Sequence, residues 1–179
     1  MPTVNELAGE LRRKGYERLF EDYPASSVLI GVGILGIPAL RAERSTRGTI
    51  RFTPDAQQEY VTAASLAGRV WFLTKKRENR HQSRIVIGRT SDADVTIPEL
   101  SISVEHAGLQ ATPFGLAVVD LGSTNGTFVD GERVTKGVSV SLYSGMKLAL
   151  ARFEFEYLRH KDFLERLKQI AMRPVPHHR

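Results

Sequence analysis

Arginine, hydroxyl and amide side chains stand in this sequence where loops would gather them. Gly88-Arg89 ends one β-rich run, Ser103 follows another, and Ser123-Thr124-Asn125-Gly126 sits at a hairpin signal. An arginine offers a planar fork of donors matched to phosphate oxygens, and each charge-assisted hydrogen bond contributes on the order of 1.5 to 3 kcal/mol. Hydroxyls and backbone N–H groups then satisfy the remaining oxygens, so the chemistry on offer is the holding of an anion. Each residue has a plainer explanation alone: Gly-Arg after a strand is common, Ser-x-x-His arises by chance, and Asn-Gly is first of all a turn device. No nucleotide-binding Gly-Lys loop, metal-ligand cluster or nucleophile elbow is present, and Gly31 with Gly33 is only a lone Gly-x-Gly. The expectation is binding without catalysis, with no cofactor and no metal.

Such side chains need a rigid platform. After Gly68 the chain turns to short β-rich runs separated by turn residues: Val70 to Leu73, Arg84 to Ile87, Val95 to Ile97, Ala107 to Ala111, Leu116 to Leu121, Thr127 to Val129, Val138 to Leu142 and Lys147 to Leu158. Regular short strands with turn signals argue for an all-β sandwich or barrel rather than a parallel α/β sheet. Asn125-Gly126 and Asp130-Gly131 are the strongest hairpin signals, since both central residues of a type I′ turn need positive φ. Residues 3 to 20 read as a helix: Thr3 and Glu6 have the spacing of a capping box, and Val4, Leu7, Ala8, Leu11, Leu19 and Phe20 recur near one face. From Asp22 to Leu66 the periodicity fails and the stretch reads as linker or irregular structure. Asp162 to Met172 reads as an amphipathic helix ended by Pro174 and Pro176, packing on the sandwich or on the N-terminal extension. The organisation expected is an extension over 1–67, a sandwich over 68–158, and a helix with tail over 159–179.

The order of the motifs is more specific than any one of them. Gly88-Arg89, Asp94-Val95, Ser103-Val104-Glu105-His106-Ala107, and then Asp120 through Gly131 resemble the forkhead-associated (FHA) signature across about 45 residues. The resemblance implies two packed β-sheets and a site for phosphothreonine peptides. Carried over by position, it implies that Arg89 and Ser103 contact the phosphate, Thr124 adds a hydroxyl or backbone donor, and Asn125 holds the peptide backbone. Gly88, His106 and Gly126 then support the site structurally, His106 as a brace for the loops rather than a catalytic base. Val104 stands where the family often has arginine or asparagine; its backbone N–H could still serve the phosphate, and weaker or altered recognition is expected. Ser101 and Ile102 fall in the loop that the family uses to read residues after the phosphothreonine.

Composition narrows the partner without naming it. A net charge of +5 favours an acidic partner. The resemblance selects a phosphothreonine-containing protein, a Ser/Thr kinase or its substrate, over nucleic acid. A rival reading is a basic nucleic-acid or anionic-membrane binder using Arg12-Arg13-Lys14 and Lys75-Lys76-Arg77 with Arg80 and His81, although such runs are commonly a solvated face. A third is self-regulation, in which Thr46, Thr49 or Thr53, flanked by arginines, is phosphorylated and occupies the chain's own site. There is no cysteine, and the N-terminus lacks a secretory leader pattern, so a cytoplasmic setting is expected. Val28 to Leu40, interrupted by glycines and Pro38, is shorter than the about 20 residues a spanning helix needs and reads as buried or partner-facing. The oligomeric state has no signature.

Overall fold

The computed structural model describes residues 1–34, 41–44, 50–53, 66–76, 83–113 and 115–173, with 41–44 and 50–53 described as backbone only. In chain order the elements are α1 (Val4–Lys14), α2 (Tyr16–Asp22), β1 (Ser27–Ile34), β2 (Arg41–Arg44), β3 (Ile50–Thr53), β4 (Val70–Phe72), β5 (Arg84–Gly88), β6 (Val95–Thr96), β7 (Ala107–Thr112), β8 (Gly115–Asp120), β9 (Thr127–Val129), β10 (Glu132–Arg133), β11 (Ser139–Leu142), β12 (Lys147–Leu150), β13 (Phe153–Arg159) and α3 (His160–Ala171). One sheet has the order β10-β9-β12-β13-β1-β4 and the other β11-β8-β7-β5-β6, while β2 and β3 pair only with each other. All pairings are antiparallel except β5 with β6.

Period-two alternation explains why the six-stranded sheet is covered on both faces. Leu29, Trp71, Phe153, Phe155 and Tyr157 point inward and share a core with Ile87, Leu109 and Val118 of the second sheet. Val28, Ile30, Val70 and Leu158 point outward and meet Val4, Leu7 and Leu19 of the N-terminal helices and Phe163 and Leu167 of α3. The result is a β-sandwich of two packed sheets with a helical layer on one outer face. Arg166 of α3 clamps Glu156 of β13 with a two-pronged ion pair at 2.5 and 2.7 Å, which holds the Glu156 carboxyl below its usual range.

Four expectations need correction. The stretch from Asp22 to Leu66 is not simply linker: β1 lies between β13 and β4 and contributes Leu29 to the core, so a boundary at residue 68 divides the sandwich from one of its own strands. Glycines obscured this strand, because the register shifts at Gly31/Gly33 and the Leu66 carbonyl sits 2.1 Å from where a Gly31 Cβ would be. The helix read over 3 to 20 is two helices, broken at Gly15 with φ +80°. Lys147 to Leu158 is two antiparallel strands, β12 and β13, turned at Ala151 with φ +56°. Finally, of the two Asx-Gly signals only Asp130-Gly131 makes a hairpin, with positive φ at both residues and β9 paired to β10. Asn125-Gly126 joins strands of different sheets, and only Gly126 has positive φ.

The capping box at Thr3 is present, with the Glu6 N–H donating to Thr3 Oγ1 at 3.2 Å and the Thr3 N–H donating to Glu6 Oε2 at 2.7 Å. Thr46, Thr49, Arg77, Arg80, His81, Pro174 and Pro176 lie outside the described residues, as does the side chain of Thr53.

Candidate functional site

Three connections meet at one end of the sandwich: the loop after β5, the loop before β7, and the crossing from β8 to β9. Ser103 touches both of the others. Its carbonyl accepts the Arg89 N–H at 3.0 Å, and its Oγ accepts the Thr124 N–H at 3.1 Å and lies 3.5 Å from Thr124 Oγ1. Asn125 Nδ2 donates to the Ser101 carbonyl at 2.7 Å, tying the same two loops again. Arg89 is half-buried, and its guanidinium reaches the Leu100 carbonyl at 3.5 Å. Among the described residues the Val104 N–H donates to no acceptor.

Gly88 is required here by space. A Cβ on it would sit 1.9 Å from the Val104 carbonyl oxygen, so the close approach of the Val104 backbone to β5 needs a bare Cα. His106 is fully buried and bridges the loops: the Ser103 N–H donates to its Nδ1 at 3.1 Å, and its Nε2 faces the Gly126 carbonyl at 3.1 Å. An N–H donor on one nitrogen and a carbonyl on the other fix a neutral ring with its proton on Nε2. Burial pushes the His106 pKa down to about 4, outweighing the Gly126 carbonyl and the Asp120 charge, which favour the cation.

Asp120 organises the β8–β9 crossing. Its Oδ1 accepts the N–H groups of Gly122 and Ser123 at 2.8 and 3.0 Å, and its Oδ2 accepts the hydroxyls of Ser123 and Thr127 at 2.5 and 2.7 Å. Burial would raise its pKa, but the donors from Ser123, Thr127 and Gly122 prevail and hold it low. The sequence reading gave Asp120 no role, although its spacing to Ser123 and Thr127 is that of a carboxylate closing a turn onto the backbone ahead of it. Asp94, named in the motif order, was likewise given no role. It is buried behind the Arg89 loop and takes Lys75 Nζ at 2.9 Å, the Lys76 N–H at 2.6 Å and the Val86 N–H at 2.7 Å.

Several expected contacts are elsewhere. Ser101 and Ile102 are 2% and 0% exposed, so their side chains do not form the open rim of the loop. The rim is Leu100 and Val104, at 56% and 39%. The basic runs are partly used internally: Lys76 Nζ donates to the Ser91 and Ala93 carbonyls, Lys14 pairs with Asp22 and Glu10, and Arg12 binds carbonyls at the end of α3. Among the described residues no group of His, Cys, Asp and Glu is arranged to hold a metal ion, and no helix is long and apolar enough to cross a membrane.

The sequence profile of the FHA domain family matches residues 85–151, the span that contains all three of these loops. The chain carries an FHA domain. FhaB of Mycobacterium tuberculosis is 29% identical over 119 residues, covering 66% of this chain and 75% of that protein. The probable serine/threonine-protein kinase fhkA of Dictyostelium discoideum is 34% identical over 79 residues, covering 40% of this chain but only 13% of the kinase. The likeness to that kinase is therefore confined to a small part of its length. Among solved structures, an FHA domain from a structural and functional analysis of phosphothreonine-dependent FHA domain interactions is 27% identical, with a TM-score of 0.43, over 52% of this chain and 86% of that one.

Proposed function

We propose that this FHA domain is a phosphothreonine-peptide-binding module, with Arg89, Ser103, Val104, Thr124 and Asn125 holding the ligand. The carrying observation is the position of Ser103, hydrogen-bonded both to the loop of Arg89 and to Thr124. A phosphate set over Ser103 would meet the Arg89 guanidinium, the Ser103 and Thr124 hydroxyls and the Val104 N–H, which is the donor set that a dianion needs. Asn125, already anchored on the Ser101 carbonyl, would offer its amide to the peptide backbone. Gly88, His106 and Gly126 hold these loops in place without touching ligand. A threonine γ-methyl group in a fitted pocket is worth only about 1 to 3 kcal/mol, so discrimination against phosphoserine is real but finite.

The module acts as an adaptor and not as a catalyst. Its partner is a phosphothreonine-bearing Ser/Thr kinase or kinase substrate, met in the cytoplasm. The alternative of a general basic surface for nucleic acid or anionic membrane is disfavoured because Arg12, Lys14, Lys75 and Lys76 are occupied by contacts within the chain.

Arg89→Ala tests the reading. Binding to an oriented phosphothreonine peptide library is expected to disappear while circular dichroism and melting temperature stay at wild-type values. Unchanged affinity by calorimetry would overturn the assignment of this site.

A further inference from the structure

The crossing that presents Thr124 and Asn125 has a second side. It is bracketed by Gly122 and Gly126, with φ of +88° and +91°. A Cβ on Gly122 would lie 2.9 Å from Lys136 Cε and 3.0 Å from Lys136 Nζ, and one on Gly126 would lie 3.2 Å from a guanidinium nitrogen of Arg133. Each bare Cα therefore seats a cation. Arg133 is also set over the Phe128 ring, 5.9 Å from its centroid, and the Lys136 backbone bridges to Asp120. Among the described residues neither cation enters an ion pair. Together with Ser123 and Thr135 they line a cavity of about 520 Å³. The carboxylate of Asp120 also borders it, but both of its oxygens are taken by donors of the crossing.

Arg133 and Lys136 both line this cavity, so an anion bound in it would meet two cations at once. We propose that the cavity is a second anion subsite, taking an acidic side chain of the same peptide whose phosphothreonine is held by Arg89 and Ser103. The chemistry is a carboxylate or a second phosphate, since the Arg133 fork matches either and Lys136 adds a point charge. This inference rests on the phosphothreonine reading. Gly122 and Thr124 are two positions apart, so their Cα atoms are separated by at most about 7 Å, a span that an extended peptide crosses in about two residues. With the reach of a lysine side chain added, the acidic group falls roughly two to four residues from the phosphothreonine.

The test is calorimetry on the full chain with phosphothreonine peptides that differ only at positions two to four residues to either side: neutral, glutamate, or a second phosphothreonine. Wild type is expected to bind the best acidic peptide about tenfold more tightly than the neutral one. In Arg133→Gln/Lys136→Gln that gain disappears while affinity for the neutral peptide stays within about twofold, and in Arg18→Ala, which removes an exposed cation of α2, the gain persists. The arm with the larger gain identifies the source as carboxylate or phosphate. Should the double variant melt early, the single Lys136→Gln and Arg133→Gln variants are each expected to lose part of the gain. Binding of the neutral peptide with no acidic gain in wild type, or a gain that survives in the double variant, overturns the subsite alone. Failure of wild type to bind any of the phosphothreonine peptides overturns the phosphothreonine reading and this one with it.

Discussion

The loop end of the sandwich and its helix-covered face are held together by different physics. At the loop end several of the buried groups are polar, His106, Asp120, Thr127 and Ser103, and much of the order comes from specific hydrogen bonds among them and the loop backbone. On the far face of β1, β4 and β13 the buried groups are apolar, and the aromatic rings of Tyr23, Phe72 and Phe163 meet in stacked and edge contacts. Hydrogen bonds fix positions because an unmet partner in the interior is costly, whereas apolar area stabilises without prescribing a unique arrangement. The loop end thus sets where ligand donors stand, and the helical face sets how firmly the strand framework holds. If this division is right, each region can be damaged with a separate readout.

The largest effect is expected on the helical face. Phe163 is 1% exposed and lies between the helices and the sheet. Phe163→Ala removes a full ring from that layer and should destabilise the protein by about 3 to 5 kcal/mol in urea unfolding. Affinity of the remaining folded molecules for a phosphothreonine peptide should stay within about twofold. An affinity loss larger than the unfolded fraction explains would show that the two regions are coupled through β1 and β13.

The next effect is a pH dependence confined to the loop end. His106 has its folded pKa depressed from 6.5 to about 4, so between those values the unfolded chain binds the proton and the folded one resists it. Stability contributed by the neutral ring is fully present above pH 6.5, falls as pH drops towards 4, and levels off below. A full shift of that size corresponds to about 3 kcal/mol. Asp120 acts in a lower window, because its pKa is held below the ordinary 3.8, and the stability this gives is present above that value and lost as pH falls through the folded one. Glu99, which burial pushes up, opposes His106 in the overlapping range. Urea unfolding from pH 4 to 7, in wild type and in His106→Asn, isolates the histidine as the difference between the two curves. Equal slopes would remove His106 from its place as the buried neutral brace.

The loop end was more legible in the sequence than the face that supports it, for a physical reason. Gly88, Arg89, Ser103 and Thr124 carry backbone and donor requirements that few residue types meet, so their order along the chain is informative by itself. The apolar strand β1 has no such uniqueness. Its hydrophobic run is broken by glycines that serve close approach and a register shift, and these are the same residues that signal a loop. Asn125-Gly126 misled in the opposite direction. The dipeptide has hairpin composition, but the chain there passes between sheets and one Asn125 Nδ2–H bond goes to the Ser101 carbonyl. Ser101 and Ile102 are buried in the loop before β7, which the sequence does not reveal, since a loop position alone does not say which side chains turn inward. Charge was the least legible property. Lys75 and Lys76 look alike as a basic run, yet one meets a buried carboxylate and the other caps carbonyls.

Arg12 gives the smallest effect and the finest probe of the division. It is a polar pin at the margin of the helical layer: its Nε donates to the Ala171 carbonyl at 2.9 Å, and one of its terminal nitrogens donates to Ala171 again and to Arg173 at 3.2 Å. These carbonyls sit at the end of α3, where the helix leaves acceptors unpaired and its dipole favours a cation. The guanidinium therefore links α1 to α3 across 159 residues of sequence. Because the site is exposed, Arg12→Ala should cost only about 1 kcal/mol. Amide exchange in the last turn of α3 should quicken, with peptide affinity unchanged. Arg12→Lys should recover part of the loss, since a point charge keeps the dipole interaction but not the fork. A change in phosphopeptide affinity on Arg12→Ala, with global stability nearly intact, would mean that the helical layer tunes the loops through the sheet. The scaffold would then be an effector surface as well as a support.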